Sequence, residues 1–171
     1  MNNNQKGVGL IEVLVSLLVL AIGVLGFVVL QARAVEATGE SAQRIQAINI
    51  ARDVTERIRA NRGGWASYKT QLASTAKQRD GSVNCTNTTN CSAADLADYD
   101  ARELEQYASS LGMNLALLEC PKTGTTDSGR HCLFIAWNNT SATDNSSDSD
   151  TACTKGITYQ SKSTCLIMEV Y

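Results

Sequence analysis

From Val13 to Ala32 the chain carries no charged side chain. A helix of ~20 such residues rises about 30 Å, the thickness of a bilayer's hydrocarbon core, so the run fits a membrane-spanning helix. A short polar leader ending in Lys6-Gly7 precedes it, and a single carboxylate, Glu12, sits at the boundary. A charged group at the head of a lipid-facing helix costs free energy unless it finds water or a partner. Glu12 is therefore a functional candidate.

The helix is expected to continue beyond the apolar run. No proline occurs from Val35 to Arg62, and Ile45, Ile48, Ala51, Val54 and Ile58 recur at three- and four-residue steps. They form one apolar stripe, opposed by Glu40, Arg44, Arg52, Asp53, Glu56 and Arg59. Gly39 weakens the helix locally, and Gly63-Gly64 ends it. One helix of about 75 Å results, apolar all round in its first half and amphipathic in its second.

Residues 63–171 read as a small globular head. Trp65, Tyr68 and Leu72 are candidates to cover its base. Ser92-Ala93-Ala94-Asp95 resembles a capping box opening a second helix. The buried face of that helix is read as Leu96, Tyr99, Leu104, Tyr107 and Leu111, and Gly112 as its stop. Three strand candidates follow, Asn114–Cys120, Cys132–Asn138 and Thr164–Tyr171, the first two forming an antiparallel hairpin. Residues 138–154 are nearly all Ser, Thr, Asn and Asp and read as a solvated loop. Asp144, Asp148 and Asp150 offer oxygen ligands for calcium, but the glycine and terminal glutamate of a calcium loop are missing.

The six cysteines, Cys85, Cys91, Cys120, Cys132, Cys153 and Cys165, all follow the apolar run. An even number in a loop-rich region reads as disulfides formed in an oxidising compartment, which places this part outside the cytoplasm. The charge pattern adds little, with Lys6 before the span and Arg33 after it. A metal site is the weaker reading, because no C-x-x-C occurs and His131 is the only histidine. Many connectivities are open to six cysteines; pairing along the sequence, Cys85–Cys91, Cys120–Cys132 and Cys153–Cys165, is the least strained. So small a core often needs such help.

Net charge is −2, from 15 basic and 17 acidic residues, so no basic field points to nucleic acid. G-x-S-x-G, P-loop and H-E-x-x-H patterns do not occur. His131 adjoins Cys132, but adjacent strand residues point to opposite faces, which disfavours a dyad. The chain is read as a non-enzyme without a cofactor or metal.

Lys6-Gly7 followed by Val8-Gly9-Leu10-Ile11-Glu12-Val13 resembles the class III signal of type IV prepilins and pseudopilins. A second stretch, GVLGFVVLQARA with NIARDVTERIRANR, is similar to the minor pilins called PilV, or type IV pilus modification proteins. Beyond Arg62 the similarity is one of layout. Val8 stands where most pilins have phenylalanine, and the anchor lacks the proline common in major pilins.

The resemblance implies cleavage after Gly7 by a prepilin peptidase, N-methylation of Val8, and a docking role for Glu12 at the fifth mature position. It implies a type IV pilin-like α+β fold, a long helix packed on a small antiparallel sheet. Its divisions are a leader at 1–7, a transmembrane half-helix at 8–34, an amphipathic half at 35–62 and a head at 63–171. The implied path runs from the bacterial inner membrane, with the head in the periplasm, to the extracellular pilus. The implied partners are other major and minor pilins and a tip adhesin, in support of assembly, adhesion, twitching or DNA uptake.

Two alternatives remain beside this reading. A minor pseudopilin of a type II secretion system shares the N-terminal physics. A secreted disulfide-rich binding module with an ordinary signal peptide would use the A-x-A-like Ala32-Arg33-Ala34. Against the module stand a leader with one lysine, the interrupting Glu12, and an apolar run longer than a usual signal core.

Overall fold

The computed structural model describes residues 9–80, 84–86, 90–121, 129–145, 147–149 and 151–170. The whole leader including Gly7, together with Val8 and Asp150, lies outside the described residues. Helix α1 runs from Leu10 to Ala60. A 3₁₀ turn (Arg62–Gly64) leads into α2 (Trp65–Gln71), α3 (Thr75–Arg79) and α4 (Ala93–Ser110). Six strands follow: β1 (Met113–Glu119), β2 (His131–Trp137), β3 (Ser141–Asn145), β4 (Ala152–Lys155), β5 (Thr158–Tyr159) and β6 (Cys165–Glu169). The chain divides into two compact units, Met1–Ala42 and Gln43–Tyr171. The second unit includes the end of α1, so the head begins inside the helix rather than after it.

In the first unit every described residue is exposed. Its polar groups bond along the helix: Thr38 Oγ1 donates to Ala34 O at 2.6 Å, and Arg33 pairs with Glu36 at 2.9 Å. The helix is long and apolar enough to cross a membrane.

The second unit is built on alternation. In the antiparallel sheet β1-β2-β6, Met113, Leu115, Leu117, Leu133, Ile135 and Trp137 share one face and pack on the helices. Ala116, Phe134 and Ala136 point the other way, as the two-residue period of a strand requires. They meet Ala142 and Cys153 of the second sheet, β3-β4-β5. The main sheet is therefore covered on both faces.

Its free edge at β1 is capped. Leu117 N–H donates to Leu72 O at 2.8 Å, and the buried Gln78 of α3 donates from Nε2 to Leu115 O at 2.8 Å. Such capping protects an edge strand from pairing with another chain.

Two glycines meet specific demands. Gly112, with φ +70°, closes α4 in the left-handed conformation that favours glycine. At Gly64 a Cβ would meet Ala93 O at 2.5 Å, so the turn after α1 fits against the start of α4 only without a side chain. Asn61 fixes that approach by donating to Ala93 O at 2.8 Å.

The capping box stands where its sequence signature lies. Ser92 Oγ accepts from Asp95 N–H at 3.2 Å, and Asp95 Oδ2 accepts from Ser92 N–H at 3.1 Å. The Ser92 hydroxyl, then its backbone N–H, hold the Asp95 carboxyl below its ordinary range. The three expected strands appear as β1, β2 and β6, each shifted by about one residue at its ends.

Three expectations need correcting. The buried face of α1 is Ala47, Ile50, Ala51, Val54 and Ile58; Ile45 is 60% exposed, because the alanines move the stripe's centre away from it. The buried face of α4 is Ala97, Asp100, Ala101, Leu104, Glu105 and Ala108, with Tyr107 51% exposed. Small residues, rather than the aromatic ones, let α4 approach its neighbours.

The polar stretch 138–154, expected to be a solvated loop, holds β3 and the start of β4 in parallel pairing. It forms by polar satisfaction more than by burial. Asn114 Oδ1 accepts from Ala142 N–H at 2.6 Å, and Asp144 Oδ1 accepts from Thr154 Oγ1 at 2.7 Å and Gly156 N–H at 3.1 Å. Asp144 is thus engaged within the small sheet, and Asp148 pairs with Lys155 at 3.0 Å.

Candidate functional site

Helix α1 opens with Glu12 in its first turn, where Glu12 N–H donates to Gly9 O at 2.9 Å. A carboxylate there interacts favourably with the helix dipole. Among the described residues, the Glu12 side chain has no hydrogen-bond or ion-pair partner, and it is exposed. From Leu10 to Leu30 the large apolar side chains are exposed on every side of the helix. A helix apolar all round requires an apolar surrounding. Each Leu, Val, Ile or Phe transferred from water gains about 1.5–3 kcal/mol, which makes this segment a strong driver of association. Its one carboxyl group is the exception that any covering surface must accommodate.

The head carries a second charged centre, which the sequence reading missed. Arg57 of α1 lies among three carboxylates: Nε donates to Asp53 at 3.0 Å, and Nη1 reaches Asp100 at 2.7 Å and Glu103 at 2.9 Å. Tyr68 of α2 donates its hydroxyl to the buried Asp100, and Tyr99 donates to Glu103 at 2.5 Å. Burial opposes charge on Arg57, but its hydrogen bonds to Glu103, Asp53 and Asp100 outweigh that and raise its pKa. Burial, and then the bond to Asp100, push the Tyr68 hydroxyl up. The cluster joins α1, α2 and α4 and fixes the surface around them. Its signal was present in the sequence: Asp100 and Glu105 interrupt the apolar face of α4 at helical spacing. A second pair, Arg79 with the buried Glu105 at 2.7 Å, ties α3 to α4.

The cysteines are joined as Cys85–Cys91, Cys120–Cys132 and Cys153–Cys165, with Cα–Cα distances of 5.9, 4.8 and 5.9 Å. The second clamps β1 to β2 at the hairpin. The third ties β4 to β6 and holds the small sheet over the large one. His131 lies edge-on to Trp65 at 5.2 Å, a packing contact. Among the described residues no group of three or more His, Cys, Asp or Glu is placed to hold a metal ion.

Two family models match the chain. Residues 2–28 match the prokaryotic N-terminal methylation motif. Residues 29–102 match the model described as type IV pilin Tt1218. The fold is type IV pilin-like. Neither the curated proteins nor the solved structures contain a match to the chain.

The two matched ranges support a pilin subunit, which points to a structural rather than an enzymatic role. The methylation motif implies processing by a prepilin peptidase and assembly into filaments. Motif and apolar helix together fit a membrane-anchored pilin that is later assembled into a pilus.

Proposed function

We propose that this pilin is a minor, PilV-like subunit of a type IV pilus. It is cut after Gly7, methylated on Val8 and incorporated near the filament tip, where it supports assembly, adhesion, twitching or DNA uptake. Its neighbours are other pilins and a tip adhesin. Before assembly the leader and apolar helix hold it in the inner membrane with the head in the periplasm, which suits the three disulfides.

The observation that carries this reading is Glu12, a carboxyl group with no partner among the described residues, at the head of a helix segment otherwise apolar all round. Cleavage after Gly7 leaves an α-amine on Val8, and such amines are mostly charged near neutral pH. Methylation keeps that charge. Glu12 is the fifth residue of that mature chain, four positions after the amine-bearing Val8. As helices of adjacent subunits stagger, the carboxylate meets a neighbour's amine. An unpaired buried charge costs several kcal/mol, so the pairing rewards one register.

Intact mass of the protein from membranes and from sheared pili tests the reading. The expected product starts at Val8 with one added methyl group. Gly7→Val is expected to leave only the full-length precursor, confined to membranes. A mature chain starting after Ala34, or a Gly7→Val protein trimmed normally, overturns the assignment. Trimming at Gly7 with recovery only in a secretion apparatus gives the pseudopilin instead.

A further inference from the structure

The head leaves two large side chains exposed that its helical patterns mark as core, Ile45 and Tyr107. Tyr107 lies beside an acidic patch, and Ile45 lies in line along α1 with a basic one. Tyr107 borders an open cleft of about 500 Å³ between α1 and α4, whose walls include Asp53, Arg57 and Glu103. Three carboxylates face one guanidinium there, and Asp53 and Glu103 remain 43% and 40% exposed. Arg102 stacks on the Tyr99 ring at 5.6 Å and does not line the cleft. The cleft has room for a further cation whose aliphatic stem covers Tyr107.

Ile45 lies on the other flank of α1. Ile45, Arg52 and Arg59 are spaced by seven residues, so they fall nearly in line over about 21 Å of helix. Among the described residues neither arginine has a hydrogen-bond or ion-pair partner. Glu56 on the same flank offsets part of their charge. The two patches sit on either side of the buried face of α1, roughly 90–150° from its centre. They cannot meet within one head.

We propose that the two flanks are the halves of one head-to-tail contact between copies of this chain. Arg52 and Arg59 of one copy enter the Asp53–Glu103 cleft of the next, and Ile45 covers Tyr107. Aromatic and arginine side chains at the centre of a patch, with acidic groups opposite, are the composition of a specific interface. A contact between different surfaces of identical subunits leaves both flanks available for the next copy, as a helical array requires. The proposal rests on the filament-subunit reading but not on abundance, since two adjacent copies satisfy it.

Full-length protein with Tyr107 replaced by the photo-crosslinker benzoylphenylalanine is irradiated in cells and in sheared pili. The expected product is a dimer of this chain, cross-linked to the peptide holding residues 45–52. Arg52→Glu with Arg59→Glu should lower the dimer yield about tenfold, because like charges then face each other. Gln106→Lys, an exposed change in the cleft wall, should do the same, and all three together should restore it. A cross-link to a different pilin, no dimer, or a dimer indifferent to these charges overturns the proposal. Protein trimmed at Gly7 and present in pili without the cross-link sinks the contact alone, whereas untrimmed protein sinks the pilin reading with it.

Discussion

Glu12 and Asp100 are both carboxylates set in apolar helical surroundings, one in each unit of the molecule. Asp100, on the buried face of α4, has its partners inside the fold, with Arg57 at 2.7 Å and the Tyr68 hydroxyl. Glu12, on the first unit's helix, finds none among the described residues of its chain. A buried charge must be paired or it costs several kcal/mol. One charge is therefore a folding device, satisfied as the head forms. On the reading proposed above, the other is an assembly device, satisfied only when a neighbouring subunit arrives. The apolar side chains follow the same division, since those of the head pack on one another and those of the first unit wait for lipid or for other helices.

The largest effect expected from breaking this comparison is on assembly. Glu12→Ala removes the partner for a neighbour's amine and makes the anchor more compatible with lipid. Such a mutant should be trimmed, inserted and disulfide-bonded normally, yet fall at least about tenfold in sheared pili relative to membranes, a loss of about 1.4 kcal/mol or more. Glu12→Asp keeps the charge but loses reach and should be intermediate. Quantitative blotting of both fractions decides it, and wild-type recovery in pili removes the docking role.

Asp100→Ala makes the reverse case. It leaves Arg57 to Asp53 and Glu103 alone and the Tyr68 hydroxyl buried without its acceptor, at a cost of about 1–3 kcal/mol. Thermal unfolding of the full chain in detergent should show this loss, while trimming at the leader is unchanged. A loss below about 1 kcal/mol would mean that the cluster is a surface feature rather than a buried one.

What the sequence made legible follows from the same contrast. The apolar run, the capping box at Ser92 and the alternation in β2 each depend on neighbours along the chain, and each appears where the pattern placed it. Features that depend on distant partners were hidden. Periodicity cannot show that Asp100 has Arg57 opposite it, 43 residues away. Nor can it show that Ala97, Ala101 and Ala108 rather than Tyr107 face the core, because large apolar residues dominate a pattern read by eye. Strands β3 and β4 were read as loop because their polar side chains suggest solvent. Their pairing instead rests on backbone bonds and on groups such as Asn114 and Asp144.

Disulfides stabilise from within and so belong to the head's side of the comparison. Bridge Cys153–Cys165 closes a separation of 12 residues and holds β4 to β6. Changing both cysteines to serine should cost about 3 kcal/mol of head stability through the freer unfolded chain. Incorporation into membranes should be untouched. Thiol titration of the denatured, unreduced wild type should find no free thiol, and two or more would reject the three-bridge framework.

The smallest effect concerns Glu103, which stands between the two extremes, half-exposed yet bound within the fold. Hydrogen bonds from the Tyr99 hydroxyl and then from Arg57 hold its carboxyl below the ordinary 4.5. A lowered folded value means that the unfolded chain binds this proton first. The contribution is therefore fully present above pH 4.5 and is lost as pH falls through the folded value. Glu103→Gln removes that part of the acid slope and, for so exposed a pair, costs less than about 1 kcal/mol at pH 7. Asp95, also held low by Ser92, still titrates in this window, so the slope should shrink rather than vanish. Unfolding of the full chain in detergent between pH 3 and 7 measures it. An unchanged slope would show that the Tyr99 and Arg57 bonds do not hold this carboxylate in solution, and that Asp53 and Asp100 are left to pair Arg57.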